Sequence, residues 1–291
     1  MAKILVTGAT GAYGKEVIEI MLRKTESIQV AALARDTEKA KDLIEKGVDV
    51  REGNYEDYNS LVEAFQGIDK LMFVSGSEIP TRVQQHTNVV KAAVESGVKH
   101  VVYTSFMRKN ETDSSPIYAV AESHLKTEAL LKESGLKYTI LQHNLYLDLL
   151  PLFFGPQVVE SGMIYLCAGE GKTAFALRSD MAKAGAAVLL TSGHENKIYK
   201  IAAQKAYSFD EIAGILSDVS GKEIKYISPS QEEFTQTLTE AGVPAEIINM
   251  NIGFLEGIKQ TEFDEPSESI EKLTGESEIS VKDYLKSIYK S

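Results

Sequence analysis

The residues best suited to chemistry in this chain are three glycines near its start, Gly8, Gly11 and Gly14. A short run rich in β-branched residues, 3–7, precedes them, and apolar residues at helical spacing follow, so the pattern predicts strand, turn and helix. In a dinucleotide-binding turn the first glycine permits a sharp bend, the second lets a diphosphate approach the backbone, and the third lets the helix pack on the strand. The segment therefore predicts a diphosphate seat, with a plain surface turn as the alternative.

Arg35 indicates which nucleotide this turn should take. It lies twenty-one residues after Gly14, at the end of the second predicted strand. An NAD site places an acidic residue near this point to hold the ribose hydroxyls, whereas a guanidinium can form two hydrogen bonds to a 2′-phosphate. Asp36 is adjacent, and its ordinary role would be to cap the next helix. We therefore expect NADP(H) rather than NAD(H); FAD and S-adenosylmethionine suit the glycine spacing and Arg35 less well.

The tyrosines bear on the reaction. Short-chain dehydrogenases use a Tyr-x-x-x-Lys pair, in which the lysine lowers the tyrosine pKa for general acid catalysis. None of the thirteen tyrosines has a lysine four residues later. An oxidoreductase without this pair would position and polarise its reactants, and the cofactor itself would supply the hydride. A quinone or a cationic dye suits such a site, because its reduction needs only modest hydrogen bonding. The other reading open at this point is a protein without redox chemistry; an epimerase, which normally needs the pair, ranks last.

Strand and helix patterns alternate through the first half of the chain, which predicts an α/β fold with a doubly wound parallel sheet of the Rossmann type. In such sheets the ligand lies beyond the carboxyl ends of the strands. The predicted strands are residues 3–7, 28–34, 48–50, 70–74, 99–104 and 137–141. Functional residues are accordingly expected at 7–14, 35, 54, 74–76, 104–106 and 142–146.

After residue 150 the regular alternation stops, and glycine and proline become frequent up to about residue 171. We therefore expect an NAD(P)-binding Rossmann domain over residues 1–150 and a smaller α+β substrate lobe over residues 151–291. A helix and a strand near 178–203 are expected to return to the Rossmann sheet.

The composition excludes several classes of protein. The net charge of −11 disfavours nucleic acid and polybasic membrane contact. No apolar run approaches the roughly 20 residues of a membrane span, and no secretion signal is evident. The single cysteine, Cys167, fits a reducing cytoplasm and has no companions that would make a metal site. The expected partner is therefore a small-molecule acceptor, and a homodimer is left open.

Taken together, the motifs resemble the NmrA-like group of atypical short-chain dehydrogenases, and within it the type 2 NAD(P)H-dependent quinone oxidoreductases and the triphenylmethane reductases. The similarity extends over almost the whole chain. It is carried by Val6–Gly14, Arg35, Ser75–Glu78, Arg82-x-x-Gln-His86, Gly97-Val-Lys, Tyr103–Ser105, His124-x-x-Thr-Glu128, Gly169-x-Gly-Lys172 and Arg178–Asp180. The group also contains cofactor-sensing regulators without catalysis, so a non-catalytic NADP(H) sensor is the alternative.

The resemblance implies NADPH contacts from the glycine turn, the second and fourth strand ends and the sixth strand. The implied cofactor residues are Gly8, Thr10, Gly11, Ala12, Tyr13, Gly14, Arg35, Asn54, Val74, Ser75, Gly76, Gln142 and His143. It also implies that the quinone lies over the nicotinamide near Tyr146. Two departures stand out: Gln-His-Asn-Leu replaces Arg-Asn-Gly-Trp before Tyr146, and Asn54 stands where many members have Asp.

Four side chains of the candidate site are expected near the reacting end of the cofactor. His143 follows the sixth strand, where it is expected to polarise an acceptor oxygen, and Tyr146 is expected to line the substrate pocket. Thr104 and Ser105 end a central strand, where their hydroxyls are expected to reach the nicotinamide.

Overall fold

The computed structural model of the protein describes residues 3–24 and 30–290. Its strands, in chain order, are β1 Ile4–Val6, β2 Val30–Ala34, β3 Asp49–Glu52, β4 Lys70–Phe73, β5 His100–Phe106, β6 Lys137–His143, β7 Met163–Tyr165, β8 Lys172–Thr173, β9 Lys197–Ile201, β10 Tyr207–Ser208 and β11 Lys225–Ile227.

The α-helices alternate with these strands in the first half and cluster in the second. They are α1 Ala12–Lys24, α2 Lys41–Glu45, α3 Tyr58–Ala64, α4 Ile79–Glu95, α5 Tyr118–Glu133, α6 Leu150–Phe154, α7 Val158–Ser161, α8 Arg178–Leu190, α9 Phe209–Ser220, α10 Gln231–Glu240, α11 Ala245–Lys259, α12 Ser269–Thr274 and α13 Val281–Tyr289. Among the described residues, no helix has both the length and the apolar character needed to cross a bilayer.

The central sheet has seven parallel strands in the order β3-β2-β1-β4-β5-β6-β9. This order confirms the predicted doubly wound parallel sheet, because the chain runs outward from β1 in one direction and from β4 in the other. Ile28 and Gln29, which were predicted to start the second strand, lie outside the described residues.

Strands β5 and β6 are longer than predicted. The prediction ended them at residues 104 and 141, but their pairing continues through Ser105 with Gln142 and Phe106 with His143. Thr104 and Ser105 therefore lie inside β5, because the hydrogen-bonded ladder with β6 extends past them. Their side chains point to opposite faces of the sheet, as alternation along a strand requires.

Helices cover both faces of the sheet. Helices α1 and α8 pack together on one face, with α12 beside α8, and α3, α4 and α5 pack on the other. The approach of α1 to α8 is close, since a Cβ on Gly185 would lie 2.4 Å from the Tyr13 hydroxyl oxygen. β9 pairs with β6 at the sheet edge. The domain boundary at residue 150 stays a prediction, because α8 and β9 from the later part of the chain complete this layered structure.

Local caps set several helix starts. The Asp36 carboxylate accepts a hydrogen bond from the Glu38 N–H and caps a 3₁₀ helix over Thr37–Ala40, which is the ordinary role expected for this residue. Ser208 and Glu211 form a capping box at the start of α9.

A second apolar core lies in the later part of the chain, among α9, α11, α13 and the segment before α8. It meets the carboxyl end of β5 through aromatic contacts. The Phe106 ring lies 6.2 Å from the Phe254 ring and 5.6 Å from the Phe263 ring, centroid to centroid. The two cores therefore meet at the edge of the sheet where a ligand is expected.

Candidate functional site

The glycine turn has the geometry that its sequence predicts. Gly8 adopts a φ of +60°, a conformation that side chains rarely permit, and its carbonyl oxygen accepts the Gly11 N–H at 3.0 Å. A Cβ on Gly14 would lie only 2.4 Å from the Gly8 carbonyl oxygen, so no other residue fits there without moving backbone. Because α1 begins at Ala12, its free N–H groups face the space beyond β1, where an anion is favoured.

A cleft of about 300 Å³ lies between this turn, the ends of β2 and β3, and the segment after β4. Eight of the predicted site residues line it: Gly8, Thr10, Gly11, Arg35, Asn54, Val74, Ser75 and Gly76. The cleft is also lined by residues that the sequence pattern does not predict to lie there, among them Leu33, Gly53, Tyr55, Ser77, Glu78 and Gln85.

The segment 74–76 on the cleft wall is held by three side chains from three different elements. Its successive N–H groups donate to Thr7 Oγ1 at 2.9 Å, to Thr104 Oγ1 at 2.8 Å and to His86 Nε2 at 3.0 Å. These donors are therefore not free to bind phosphate. The segment offers a ligand its carbonyl oxygens and the Ser75 hydroxyl, which suit the hydroxyl groups of a ribose.

Tyr55 secures the same segment from the other side. Its hydroxyl donates to the Val74 carbonyl oxygen at 2.7 Å and also contacts Thr7 Oγ1. Burial raises the pKa of the Tyr55 phenol well above its usual value, so the hydroxyl stays protonated and able to donate. Tyr55 directly follows Asn54, just after β3. This position next to a predicted site residue is the only feature of the sequence that places Tyr55 near the cleft.

Arg35 stands at the open side of the cleft. Its side chain is 74% exposed, and its Nη1 lies 3.8 Å from Glu78 Oε1 across the opening. Gln85 Nε2 donates to the other Glu78 carboxylate oxygen at 3.4 Å. The cation is therefore held near the cleft by a weak, solvent-exposed ion pair that an incoming anion can displace.

His143 and Tyr146 lie on the α1 face of the sheet, away from the cleft lining. The His143 side chain is buried, and neither of its ring nitrogens has a hydrogen-bond partner among residues 3–24 and 30–290. Burial lowers the His143 pKa to about 3, so the imidazole is neutral. Its ring lies 5.0 Å from the Tyr13 ring and 6.3 Å from the Tyr146 ring, and Arg178 stacks over Tyr146 at 4.6 Å.

Ser105 and Gln142 point to the opposite face, toward a buried ion pair. Both donate to Glu128 Oε1, and Arg108 forms two hydrogen bonds to the same carboxylate, at 2.9 and 3.0 Å. The Ser105 hydroxyl therefore donates its proton to Glu128 and not to a ligand in the cleft. The Tyr13 side chain likewise faces the interior, where its hydroxyl donates to the Met181 carbonyl oxygen at 3.4 Å.

We expect Glu128→Gln to lower the free energy of unfolding by about 3 kcal/mol, because the buried Arg108 cation loses its buried carboxylate partner and keeps only the exposed Glu111. The two side chains are 4% and 1% exposed. Urea unfolding measures the change. Glu122→Gln is the matched control on the same helix, since it breaks an exposed pair with Lys126 and should cost about 0.5 kcal/mol or less. Equal losses for the two variants would contradict the expectation.

Known proteins share both the sequence pattern and this fold. The NmrA-like family matches residues 1–282. Quinone oxidoreductase 2 of Escherichia coli (strain K12) is 36% identical over 272 residues, covering 94% of this chain and 93% of that protein.

Two solved structures superpose on nearly the full length. An NADPH-dependent quinone oxidoreductase from Escherichia coli, complexed with NADPH, has a TM-score of 0.92 and 34% identity, covering 99% of this chain and 100% of that one. Triphenylmethane reductase from Citrobacter sp., complexed with NADP(H), has a TM-score of 0.91 and 38% identity, covering 98% and 99%. The chain therefore belongs to the NmrA-like family.

Proposed function

We propose that this chain is an NADPH-dependent reductase that delivers hydride to a quinone or a similar electron-poor small molecule. The observation that carries the proposal is the cleft that joins the glycine turn to Arg35. The NADPH-dependent quinone oxidoreductase and the NADP(H)-bound dye reductase that share the fold support it.

The cleft residues fit NADPH in three places. The turn at α1 has room for a diphosphate because Gly11 carries no Cβ, and the helix start favours its charge. Arg35 would pair with a 2′-phosphate by displacing Glu78. The carbonyl oxygens of residues 74–76 would accept from ribose hydroxyls. When bound, NADPH supplies the hydride, and the protein provides the binding and the orientation.

His143 and Tyr146 are the residues that we propose for the reacting end. A neutral imidazole has one N–H donor and one acceptor nitrogen, and in His143 both are buried and have no partner within residues 3–24 and 30–290. That donor and acceptor suit a carboxamide or an acceptor oxygen. Burial raises the pKa of the Tyr146 phenol, so it remains a hydrogen-bond donor without a Tyr-x-x-x-Lys pair.

We infer that residues 151–291 form the acceptor side of the site. Phe254 and Phe263 of this part contact Phe106 at the end of β5, next to the strand that carries His143. Flat apolar acceptors suit such an aromatic wall.

Stopped-flow NADPH oxidation with a panel of quinones and cationic dyes tests the activity. Turnover that saturates with at least one acceptor is the expected result. If NADPH binds but no acceptor in the panel is reduced, the non-catalytic sensor reading replaces the proposed one. A purified protein that binds neither nicotinamide cofactor would overturn both readings.

Arg35→Ala should weaken NADPH binding by about 10- to 100-fold, because a charged hydrogen bond to phosphate contributes on the order of 1.5–3 kcal/mol. NADH lacks the 2′-phosphate, so its binding should change by less than about threefold. Calorimetric titration of both cofactors measures the difference. Arg23→Ala is the control, since that arginine pairs with Glu16 on α1 and lies outside the cleft lining. Equal weakening of NADPH and NADH would show that Arg35 does not bind the phosphate.

A further inference from the structure

His86 on α4 is a fully buried histidine in which both ring nitrogens are hydrogen-bonded. Nε2 lies 3.0 Å from the Gly76 backbone nitrogen in the cleft wall, and Nδ1 lies 2.8 Å from Thr127 Oγ1 on α5. The histidine thus links the cofactor-facing segment to a helix that does not touch the cleft.

The surrounding atoms allow one arrangement of protons. A backbone N–H can only donate, so Nε2 must be the unprotonated acceptor of the Gly76 bond. The Thr127 hydroxyl donates its own proton to the Ser123 carbonyl oxygen at 2.7 Å, so it is left to accept from Nδ1. Both neighbours therefore require the neutral imidazole with its proton on Nδ1.

We propose that His86 is a positioning residue for the cofactor, which acts by holding the Gly76 N–H through the neutral tautomer whose Nδ1 proton Thr127 accepts. The proposal deepens the proposed function and rests on it. The Gly76 backbone is closely surrounded by side chains: a Cβ built on it would lie 3.0 Å from Gln85 Oε1 and 3.8 Å from the Tyr55 ring. Without the His86 acceptor, the half-buried Gly76 N–H loses its partner and is free to turn toward the cleft, which would move the carbonyl oxygens of residues 74–76.

The groups that face His86 keep it neutral. Arg82 lies one turn away on α4, Tyr103 approaches from β5, His124 from α5, and Tyr55 from the loop after β3. Burial and the Arg82 cation lower the His86 pKa to about 3. The Gly76 hydrogen bond therefore persists through the range in which an exposed histidine titrates.

Nitrogen NMR of protein labelled with ¹⁵N-histidine tests the tautomer without any cofactor. His86 should show a protonated Nδ1 and an unprotonated Nε2, unchanged from pH 8 down to the lowest pH at which the protein stays folded. A proton on Nε2, or a titration near pH 6.5, would overturn the proposal. This readout is independent of the proposed function, which fails separately if the wild-type protein binds no NADPH.

Two substitutions distinguish a role of His86 in positioning Gly76 from a role only in packing the core. In His86→Gln the side-chain oxygen reaches the Nε2 position and can accept from Gly76, whereas in His86→Asn the amide reaches only the Nδ1 position beside Thr127. We expect NADPH binding to weaken by less than about fivefold in the first and by about 10- to 30-fold in the second, as one buried hydrogen bond predicts. The melting temperatures should fall by similar amounts. Equal weakening of binding in both variants would overturn the positioning role.

Thr127→Val gives a third measurement, because it removes the acceptor of the Nδ1 proton and leaves His86 in place. The Gly76 N–H still requires an unprotonated Nε2, so the tautomer should persist, while the unpaired Nδ1–H should weaken NADPH binding several-fold. A proton on Nε2, or unchanged NADPH binding, in this variant would overturn the proposal.

Discussion

Between pH 6.5 and about 4.5 the free energy of unfolding of this protein should fall by roughly 4 kcal/mol for each pH unit. His86, His100 and His143 are buried, and burial lowers their pKa values to about 3, 4 and 3 in the folded state. Their unfolded pKa is about 6.5. As the pH falls below 6.5, the unfolded chain therefore binds protons that the folded protein does not, at about 1.4 kcal/mol per site and pH unit.

Two other groups steepen the acid side of this profile. Burial and the nearby Arg82 lower the pKa of His124 as well. Protonation of this histidine in the unfolded chain therefore also destabilises the folded protein as the pH falls below 6.5. Hydrogen bonds from Arg108 lower the pKa of Glu128 despite its burial, so the stability that this carboxylate contributes is lost only below about pH 4.5. A protein of ordinary stability, about 5–15 kcal/mol, would therefore unfold on mild acidification.

Urea unfolding at pH 7.5, 6.5, 5.5 and 4.5 measures the profile. His143→Asn should reduce the slope by one proton, because the His143 ring makes no hydrogen bond to the described part of the chain that Asn would lose. His194→Gln is the comparison: burial lowers the pKa of this half-buried histidine as well, so the variant should reduce the slope, but by less than His143→Asn does. A flat profile between pH 6.5 and 5 would show that the buried histidines are protonated in the folded protein.

Gly14→Ala should lower the free energy of unfolding by at least about 4 kcal/mol and weaken NADPH binding more than about 100-fold. The added Cβ would lie 2.4 Å from the Gly8 carbonyl oxygen, 2.8 Å from the Gly8 carbonyl carbon and 3.0 Å from the Thr7 carbonyl oxygen. These are backbone atoms, so relief requires α1 to move away from β1. That movement would also withdraw the helix start from the diphosphate.

Gly214→Ala is the matched control for this substitution. Gly214 lies on the exposed side of α9, and a Cβ there would meet no atom within 4 Å. Alanine should stabilise that helix by about 0.5–1 kcal/mol and leave NADPH binding unchanged. Urea unfolding and calorimetric titration check both variants. Wild-type binding by Gly14→Ala would show that the close contact of α1 with the turn is not required.

The parts of the site that depend on short spacing were predictable from the sequence. The strand, turn and helix at residues 3–24 follow from three glycines and a change of apolar period, and Arg35 lies at the end of the strand where spacing puts it. Asp36 caps the next turn as its type predicts. In each case the deciding contacts join residues within about one element of each other, so residue type and local period suffice.

The direction of individual side chains was less predictable. Thr104 and Ser105 were both expected to reach the nicotinamide, but the longer pairing of β5 with β6 turns them to opposite faces. Thr104 binds the Ser75 N–H, and Ser105 binds Glu128. Which groups these side chains contact depends on where the strand ends, to within two residues. The sequence pattern does not predict strand ends that precisely.

By itself the sequence determined the Rossmann type of sheet and the glycine turn after its first strand, and it predicted NADP(H) as the cofactor, because each rests on a local pattern of glycines, charges and apolar residues. Only the tertiary structure decided which buried polar groups pair: His86 with Gly76 and Thr127, and Glu128 with Arg108. These partners lie ten to forty-one residues apart along the chain. These residues come into contact only because α4 and α5 pack together on the sheet. The spacing of residues within a single element does not predict such contacts.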